Sequence, residues 1–414
     1  MIAPVVSTLP NGLTVASWAM PGVETVALSI SADTGSRFEA APVNGLAHLF
    51  EHMVFKGTHR RSAREIAEQM EDVGGQLNAW TSRDATMFHA RLLAKDLPLG
   101  VDLVADLVSN PRFDEGDLAR EKEVVLQELG EARDTPDDIV FDHLQEAAYP
   151  DQGLGRSILG DEATLARISR DDLVQWQAAH YAPQRLALVV AGKVDHAALC
   201  RIAEAAFPAA AGDVAAPAGD AARFAPTTRH DKRRIEQAQL TAGWAAPGHH
   251  DAAQDAALLF TLAAGGGMSS RLFQQVREER GLAYAVSAAL QPYVDGGLMS
   301  VHAATDPANA AAARDLIDTV LAQTASGLEQ AELDRARAQA LAGLLMALEA
   351  PQGAADYLAR SLLVHRRFVP PAEIVARIEA VTVDDARAAG AAMLAHTPAR
   401  AEIGKHKPAG SRPA

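Results

Sequence analysis

The segment His48-Leu49-Phe50-Glu51-His52 combines two imidazoles and a carboxylate at helical spacing. At about 100° per residue, His48, Glu51 and His52 share one face of a helix. The opposite face is apolar and consists of Leu46, Leu49, Phe50, Met53 and Val54. Histidines four residues apart are spaced to bind one Zn²⁺, and a glutamate just before the second can act as a general base, as in the inverted metalloprotease helix motif. The segment predicts a zinc site, against the alternative of a polar helix face without metal.

A catalytic zinc site needs a third protein ligand, and the helix predicted over residues 114–133 offers two candidates. Glu121 and Glu128 lie seven residues apart, and with Val124 and Val125 they have the spacing of a buried face. Carboxylates on a buried face are costly unless they are paired or bound to a metal. Because the helix is acidic all round, two solvent-facing acids fit the spacing equally well.

The elements that must position these residues recur in the same order in two halves of the chain: a strand, a helix and a hairpin. In the first half the strand and hairpin arms are Val26–Ala32, Leu77–Thr81 and Thr86–Leu93, and in the second half they are Gln237–Trp244, Ala283–Leu290 and Leu298–Ala304. Hairpins mixed with helices predict an α+β fold of two homologous two-layer domains, each a mixed, largely antiparallel sheet covered by helices on one face. We expect a catalytic domain over 1–207, a linker over 208–228 and a second domain over 229–414. The second-half helix, Ala252–Ala263, has no histidine, so one zinc per chain is expected.

Composition excludes several classes of protein. With 53 acids against 38 bases among 414 residues, the formal net charge is −15, which argues against a nucleic-acid partner. No apolar run reaches the roughly 20 residues of a membrane-spanning helix. The amino terminus has no visible signal peptide, which predicts a cytoplasmic protein, or a periplasmic one if a leader has been removed.

Four segments resemble the pitrilysin family of zinc peptidases, in particular its mitochondrial-processing-peptidase-like bacterial branch. They are GLAHLFEHMVFKGT (Gly45–Thr58), GGQLNAWTS (Gly74–Ser82), EKEVVLQEL (Glu121–Leu129) and GGGMSSRLFQQVREERGLAY (Gly265–Tyr284). The resemblance covers both halves of the chain and implies a zinc metalloendopeptidase acting on peptide substrates. It also implies the roles of residues in the first and third segments: His48, His52 and Glu128 as zinc ligands, Glu51 as general base, and Glu121 as a supporting acid.

The resemblance assigns further residues to substrate handling. It implies that Tyr284 stabilises the tetrahedral intermediate and that Arg277 anchors the substrate backbone. Asn78 and Ala79, on a predicted edge strand, are expected beside the scissile bond of an extended peptide. The adjacent Trp80 is expected to be core packing. Phe88 departs from the family, which often has tyrosine there.

The same resemblance predicts the assembly. Family chains of twice this length carry the arginine–tyrosine pair in a domain that faces the zinc domain across a closed chamber. A two-fold homodimer of this two-domain chain would restore that arrangement. Two alternatives remain: a catalytic subunit that requires a related but different partner, and a non-catalytic structural subunit.

Overall fold

The computed structural model describes residues 2–207, 209 and 219–406. The strands are β1 (Val5–Thr8), β2 (Thr14–Ala19), β3 (Thr25–Ala32), β4 (Gln76–Thr81), β5 (Thr86–Leu93), β6 (Leu186–Gly192), β7 (Thr228–Asp231), β8 (Ala238–Ala246), β9 (Ala285–Pro292), β10 (Gly297–Thr305) and β11 (Ala399–Ile403). The helices are α1 (Leu46–Val54), α2 (Ala63–Glu71), α3 (Leu97–Ser109), α4 (Glu115–Asp134), α5 (Pro136–Ala148), α6 (Glu162–Arg167), α7 (Arg170–His180), α8 (His196–Ala206), α9 (Gln254–Gly265), α10 (Ala310–Gly327), α11 (Gln330–Ala347), α12 (Pro351–His365), α13 (Pro371–Ala380) and α14 (Val383–Leu394).

The first compact unit comprises residues 1–129, 157–220 and 345–369. Its six-stranded sheet has the order β1-β2-β6-β3-β5-β4, in which β2 and β6 are parallel and the other neighbours antiparallel. Every residue of β6 is buried, so both faces of the sheet centre are covered. On β2, Val15 joins the large core formed with α1 and α3, whereas Trp18 contacts Tyr357 of α12, with ring centroids 6.2 Å apart.

The second compact unit comprises residues 130–156, 221–344 and 370–414. Its five-stranded sheet has the order β7-β11-β8-β10-β9, with β7 and β11 parallel. The two faces again have separate cores. Met299 on β10 packs in the core shared with α9, α10 and α14, and its neighbour Leu298 packs with Leu144 of α5.

Two mixed, largely antiparallel sheets with helical layers confirm the predicted fold class, with one addition. One helix from each half of the chain belongs to the compact unit formed mainly by the other half. Helix α5, from the first half, packs on the second sheet, and helix α12, from the second half, packs on the first sheet. Each sheet therefore has helices on both faces, not on one face as predicted. The compact units consequently differ from the proposed domains 1–207 and 229–414 at these two exchanged segments.

The local elements match the predicted ones closely. The β5 arm has the predicted ends, and β4 begins one residue earlier than predicted. Of the predicted linker, residue 208 and residues 210–218 lie outside the described residues, and residues 219–227 form no helix or strand. Within the described part of the chain, no helix has the length and apolar character needed to cross a membrane.

Candidate functional site

Helix α1 presents its polar face because its apolar face is fully used in the core. The apolar residues predicted for the buried face are all buried, and His48, Glu51 and His52 are partly exposed on the other side. The helix begins after Gly45, which has φ +95° and whose added Cβ would lie 2.9 Å from the Leu159 carbonyl oxygen. Such a left-handed position favours glycine.

A buried acid caps this helix start. Glu39, 4% exposed, accepts hydrogen bonds from the backbone N–H of Gly45 (2.9 Å) and of Ala47 (2.7 Å) and from the side chain of Asn44 (2.6 Å). A carboxylate at a helix N-terminus satisfies unpaired donors and complements the helix dipole. Glu39 therefore fixes the position of the helix that carries both histidines.

Three ligand atoms converge above α1. The Oε2 atom of Glu128 lies 3.8 Å from His48 Nε2 and 3.6 Å from His52 Nε2, and the three residues form a cluster with ligand atoms within 4.8 Å of one another. These separations are longer than hydrogen bonds. They are close to the edge of about 3.3 Å that a tetrahedral zinc site with bonds of 2.0–2.1 Å requires. Two imidazole nitrogens and one carboxylate oxygen thus fit a catalytic zinc ion.

Burial lowers the pKa of His48 and so favours the neutral, metal-binding form of its imidazole. Desolvation, and then the neighbouring His52, lower the pKa of His48 to about 4. The imidazole is therefore neutral near pH 7, which is the form that binds a metal.

Glu121 contacts the ring nitrogen of His52 that faces away from Glu128. His52 Nδ1 lies 3.2 Å from Glu121 Oε2, and Lys56 Nζ lies 2.8 Å from Glu121 Oε1. A hydrogen bond from Nδ1–H to a carboxylate leaves Nε2 with the lone pair that faces Glu128. Lys56 offsets the charge of Glu121, which is only 6% exposed. Sequence reasoning missed Lys56, whose partner lies 65 residues away.

Helix α4 places its two candidate acids, Glu121 and Glu128, in different environments. Leu118, Glu121, Val125 and Leu129 are buried, but Val124 is 37% exposed and the side chain of Glu128 is 37% exposed. The sequence left a buried face and two solvent-facing acids open, and the structure lies between them: Glu121 and Val125 are buried, whereas Val124 and Glu128 are partly exposed. Glu121 lies inside against α1, and Glu128, about two turns further along the helix, lies at the rim.

Glu51 is held by a threonine of the neighbouring strand. The hydroxyl of Thr81, the last residue of β4, donates to Glu51 Oε2 at 2.6 Å. Burial raises the pKa of Glu51, and the Thr81 hydrogen bond and His52 oppose that rise. A carboxylate with a raised pKa, fixed beside the two histidines, is suited to proton transfer. Sequence reasoning did not single out Thr81, because a hydroxyl at a strand end is a common turn feature.

The predicted edge strand is an edge in the structure. β4 pairs only with β5, so its outer backbone groups face no other strand among the described residues. Asn78 is exposed and Ala79 is 9% exposed. Trp80 is 40% exposed, so the expectation that it packs in the core was wrong. Because side chains alternate along a strand, burial of Ala79 turns Trp80 outward.

Arg277 and Tyr284 belong to the second compact unit, where the structure brings them together. Arg277 lies in the π-helical segment Phe273–Glu279, and its guanidinium carbon is 4.6 Å from the Phe273 ring centroid and 5.5 Å from that of Tyr284. Tyr284 is 71% exposed. The aromatic rings contact the guanidinium through cation–π interactions, and its Nε lies 3.5 Å from Glu278 Oε1.

Comparison with known proteins finds relatives that cover nearly the whole chain. Residues 14–162 match the family model described as insulinase (peptidase family M16), and residues 167–340 match the one described as peptidase M16 inactive domain. A zinc protease of Rickettsia bellii, described as uncharacterized, is 34% identical over 89% of this chain and 90% of its own. The chain belongs to peptidase family M16. As an M16 peptidase it is a zinc metalloprotease, a hydrolase of peptide bonds.

One further sequence relative and one solved structure resemble this M16 peptidase. The mitochondrial-processing peptidase subunit beta of Lentinula edodes is 32% identical over 92% of this chain and 85% of its own. The crystal structure of a protease from Helicobacter pylori superposes with a TM-score of 0.90 at 20% identity, covering 97% of this chain and 99% of that one. The sequence relatives confirm the resemblance to the processing-peptidase-like branch, and the structural likeness confirms the fold.

Proposed function

We propose that this M16 peptidase is an endopeptidase that cleaves extended peptides or unfolded segments, with one catalytic zinc per chain bound by His48, His52 and Glu128. The observation that carries the proposal is the convergence of these three ligand atoms within 4.8 Å, next to the half-buried carboxylate of Glu51. A structural subunit would have no use for this complete set.

The chain's own residues supply the proton transfers. Bound zinc supplies a Lewis acid that makes water more acidic and polarises a peptide carbonyl. Glu51 accepts a proton from the attacking water and returns it to the leaving amine. The Thr81 hydroxyl keeps the Glu51 carboxylate in place. Glu121, paired with Lys56, keeps His52 in the tautomer that binds metal.

The open edge of β4 supports an extended substrate. A peptide strand adds to a sheet edge through backbone hydrogen bonds, with little demand on its sequence. Asn78 and Ala79 lie on this edge three and two residues before Thr81, which contacts Glu51. A substrate strand paired with β4 is thereby brought beside the proposed general base.

Arg277 and Tyr284 complete the site from a second chain in this proposal. The substrate oxyanion needs donors besides the metal. The exposed Tyr284 hydroxyl and the Arg277 guanidinium are such donors. A two-fold homodimer would close a chamber in which the pair from one protomer serves the zinc site of its partner.

The activity is tested with the chain purified alone. We expect one zinc retained per chain after dialysis, cleavage of a quenched fluorescent peptide, loss of cleavage with a chelator, and recovery with Zn²⁺. A chain that retains zinc but cleaves only after a related subunit is added would show that it works as part of a heterodimer. A chain that retains no zinc and cleaves no peptide in either case would contradict the proposed function.

The shared site is tested by mixing two inactive variants, Glu51→Gln and Tyr284→Phe. In a mixed homodimer one site holds both lesions and the other holds neither, so each mixed dimer regains one intact site of two. No recovery despite demonstrated subunit exchange would refute the composite site.

A further inference from the structure

A second group of metal-ligating side chains lies in the second compact unit, at the edge strand β7 and its neighbour β11. His230 of β7 and Glu402 of β11 are paired in the parallel register. His406 follows β11 and folds back onto Glu402, with Nε2 2.9 Å from Glu402 Oε2. One ligand atom from each of the three residues lies within 4.8 Å of the others, and the two imidazole centroids are 4.8 Å apart.

The backbone is shaped to bring His406 inward. Gly404 has φ +147°, and its N–H donates to the Asp231 carbonyl at 3.0 Å. A Cβ at Gly404 would lie 2.8 Å from His406 Nδ1. Glycine therefore leaves room for the imidazole, whose side chain is only 2% exposed.

Each imidazole keeps one buried nitrogen without a hydrogen-bond partner among the described residues: Nε2 of His230 and Nδ1 of His406. Glu402, 1% exposed, accepts hydrogen bonds from Arg314 Nε at 2.7 Å and from Arg314 Nη2 at 3.0 Å. A carboxylate paired in this way accepts a hydrogen bond, so His406 Nε2 carries the proton and Nδ1 carries the lone pair. Buried polar nitrogens without partners cost free energy, and a cation bound by both, with Nε2 of His230 in its unprotonated form, would satisfy them.

We propose that His230 and His406 bind a divalent transition-metal cation such as Zn²⁺ or Ni²⁺, with Glu402 as the hydrogen-bonding partner that orients His406. Imidazole nitrogen is a good ligand for these metals. A ligating histidine typically donates its other N–H to a carboxylate, as His406 does to Glu402. Arg314 balances the charge of Glu402, so the site attracts the cation through the lone pairs and not through net negative charge.

This site is distinct from the cluster on α1 and does not depend on the proposed function. It has two protein ligands where the α1 cluster has three, so it binds zinc more weakly and loses it on dialysis against metal-free buffer. We therefore expect one retained zinc per chain after such dialysis and two at saturating Zn²⁺.

The test is equilibrium dialysis of the full chain against Zn²⁺, with bound metal measured by plasma mass spectrometry. In a His48→Ala/His52→Ala background, which removes two ligands of the α1 cluster, we expect one zinc per chain at saturation. Adding His230→Asn or His406→Asn should abolish this binding. Adding His250→Asn, at an exposed histidine outside both clusters, should leave it unchanged.

Two further measurements keep the test decisive if the α1 background folds poorly. In the otherwise wild-type chain, His230→Asn should lower saturating zinc from two per chain to one. Glu402→Gln should weaken the second binding event about 10- to 100-fold. Zinc binding that is unaffected by His230→Asn and His406→Asn in a folded chain would overturn the proposal. A wild-type chain that saturates at the zinc of the α1 cluster alone would also overturn it and would leave the proposed function intact.

Discussion

Thr81→Val tests how the general base is held. Valine keeps the shape of threonine and removes the hydroxyl that donates to Glu51 Oε2 at 2.6 Å. A hydrogen bond to a charged group contributes about 1.5–3 kcal/mol. If this contribution is used to position Glu51 in the transition state, its loss lowers kcat/KM by about 10- to 150-fold. The Thr81 bond also opposes the burial-driven rise in the pKa of Glu51, so its loss disfavours the ionised base further.

The assay is kcat/KM on a quenched peptide, with retained zinc and thermal midpoint measured on the same samples. Zinc content and thermal midpoint should stay near the wild-type values, because the Thr81 hydroxyl donates its hydrogen bond to Glu51 and not to a proposed zinc ligand. Thr81→Ser retains a hydroxyl and should recover most of the activity. Wild-type kcat/KM in Thr81→Val would refute the positioning role. An equal loss in Thr81→Ser would show that packing of β4, and not the hydrogen bond, is responsible.

Three other perturbations address the ligands and the scaffold. Glu128→Gln should lower the zinc affinity at least about 10-fold, as measured by competition with a chelator. An unchanged affinity would make Glu121 the third ligand. Gly45→Ala forces a side chain into φ +95° against the Leu159 carbonyl, so it should lower the free energy of unfolding by at least about 1–2 kcal/mol and lower the thermal midpoint accordingly. Gly22→Ala, at an open position, should leave the thermal midpoint unchanged. Burial, aided by Arg185, lowers the pKa of His180 to about 4, below its unfolded value of about 6.5, so its contribution to stability is complete above pH 6.5 and is lost as pH falls toward 4. His180→Gln should therefore flatten the fall in unfolding free energy across that window by up to about 3 kcal/mol, and an unchanged slope would contradict this.

The sequence predicted what is local. Helical periodicity gave the polar and apolar faces of α1, and the alternation and turn residues around β4 and β5 gave a hairpin with nearly the observed ends. Spacing also kept Glu121 and Glu128 among the candidate ligands, but it left open whether the two acids are buried or face solvent. Glu121 and Glu128 lie on nearly the same side of α4, about two turns apart, so their different burial depends on what packs beside each turn. A helix that is acidic all round also gives periodicity too little contrast to identify its buried face.

What the sequence did not predict depends on contacts between distant segments. Glu39 looks like an ordinary loop acid until the fold places it under the N-terminus of α1. Lys56 and Thr81 gain their roles only from Glu121 and Glu51 on other elements. The exchange of α5 and α12 between the units could not be predicted either. The apolar face of an amphipathic helix indicates that the helix packs on something, but it does not indicate which sheet it packs on.

The most direct test of the central claim is to measure retained zinc and peptide turnover on one preparation of Glu51→Gln, with His48→Ala as the comparison. The ligands His48, His52 and Glu128 are unchanged in Glu51→Gln, so zinc should stay at the wild-type level of one per chain after dialysis. Turnover should fall about 10²- to 10⁴-fold, because the residue that takes the proton is gone. Loss of zinc from Glu51→Gln as large as the loss from His48→Ala would show that Glu51 holds the metal site together, and would contradict its assignment as the base.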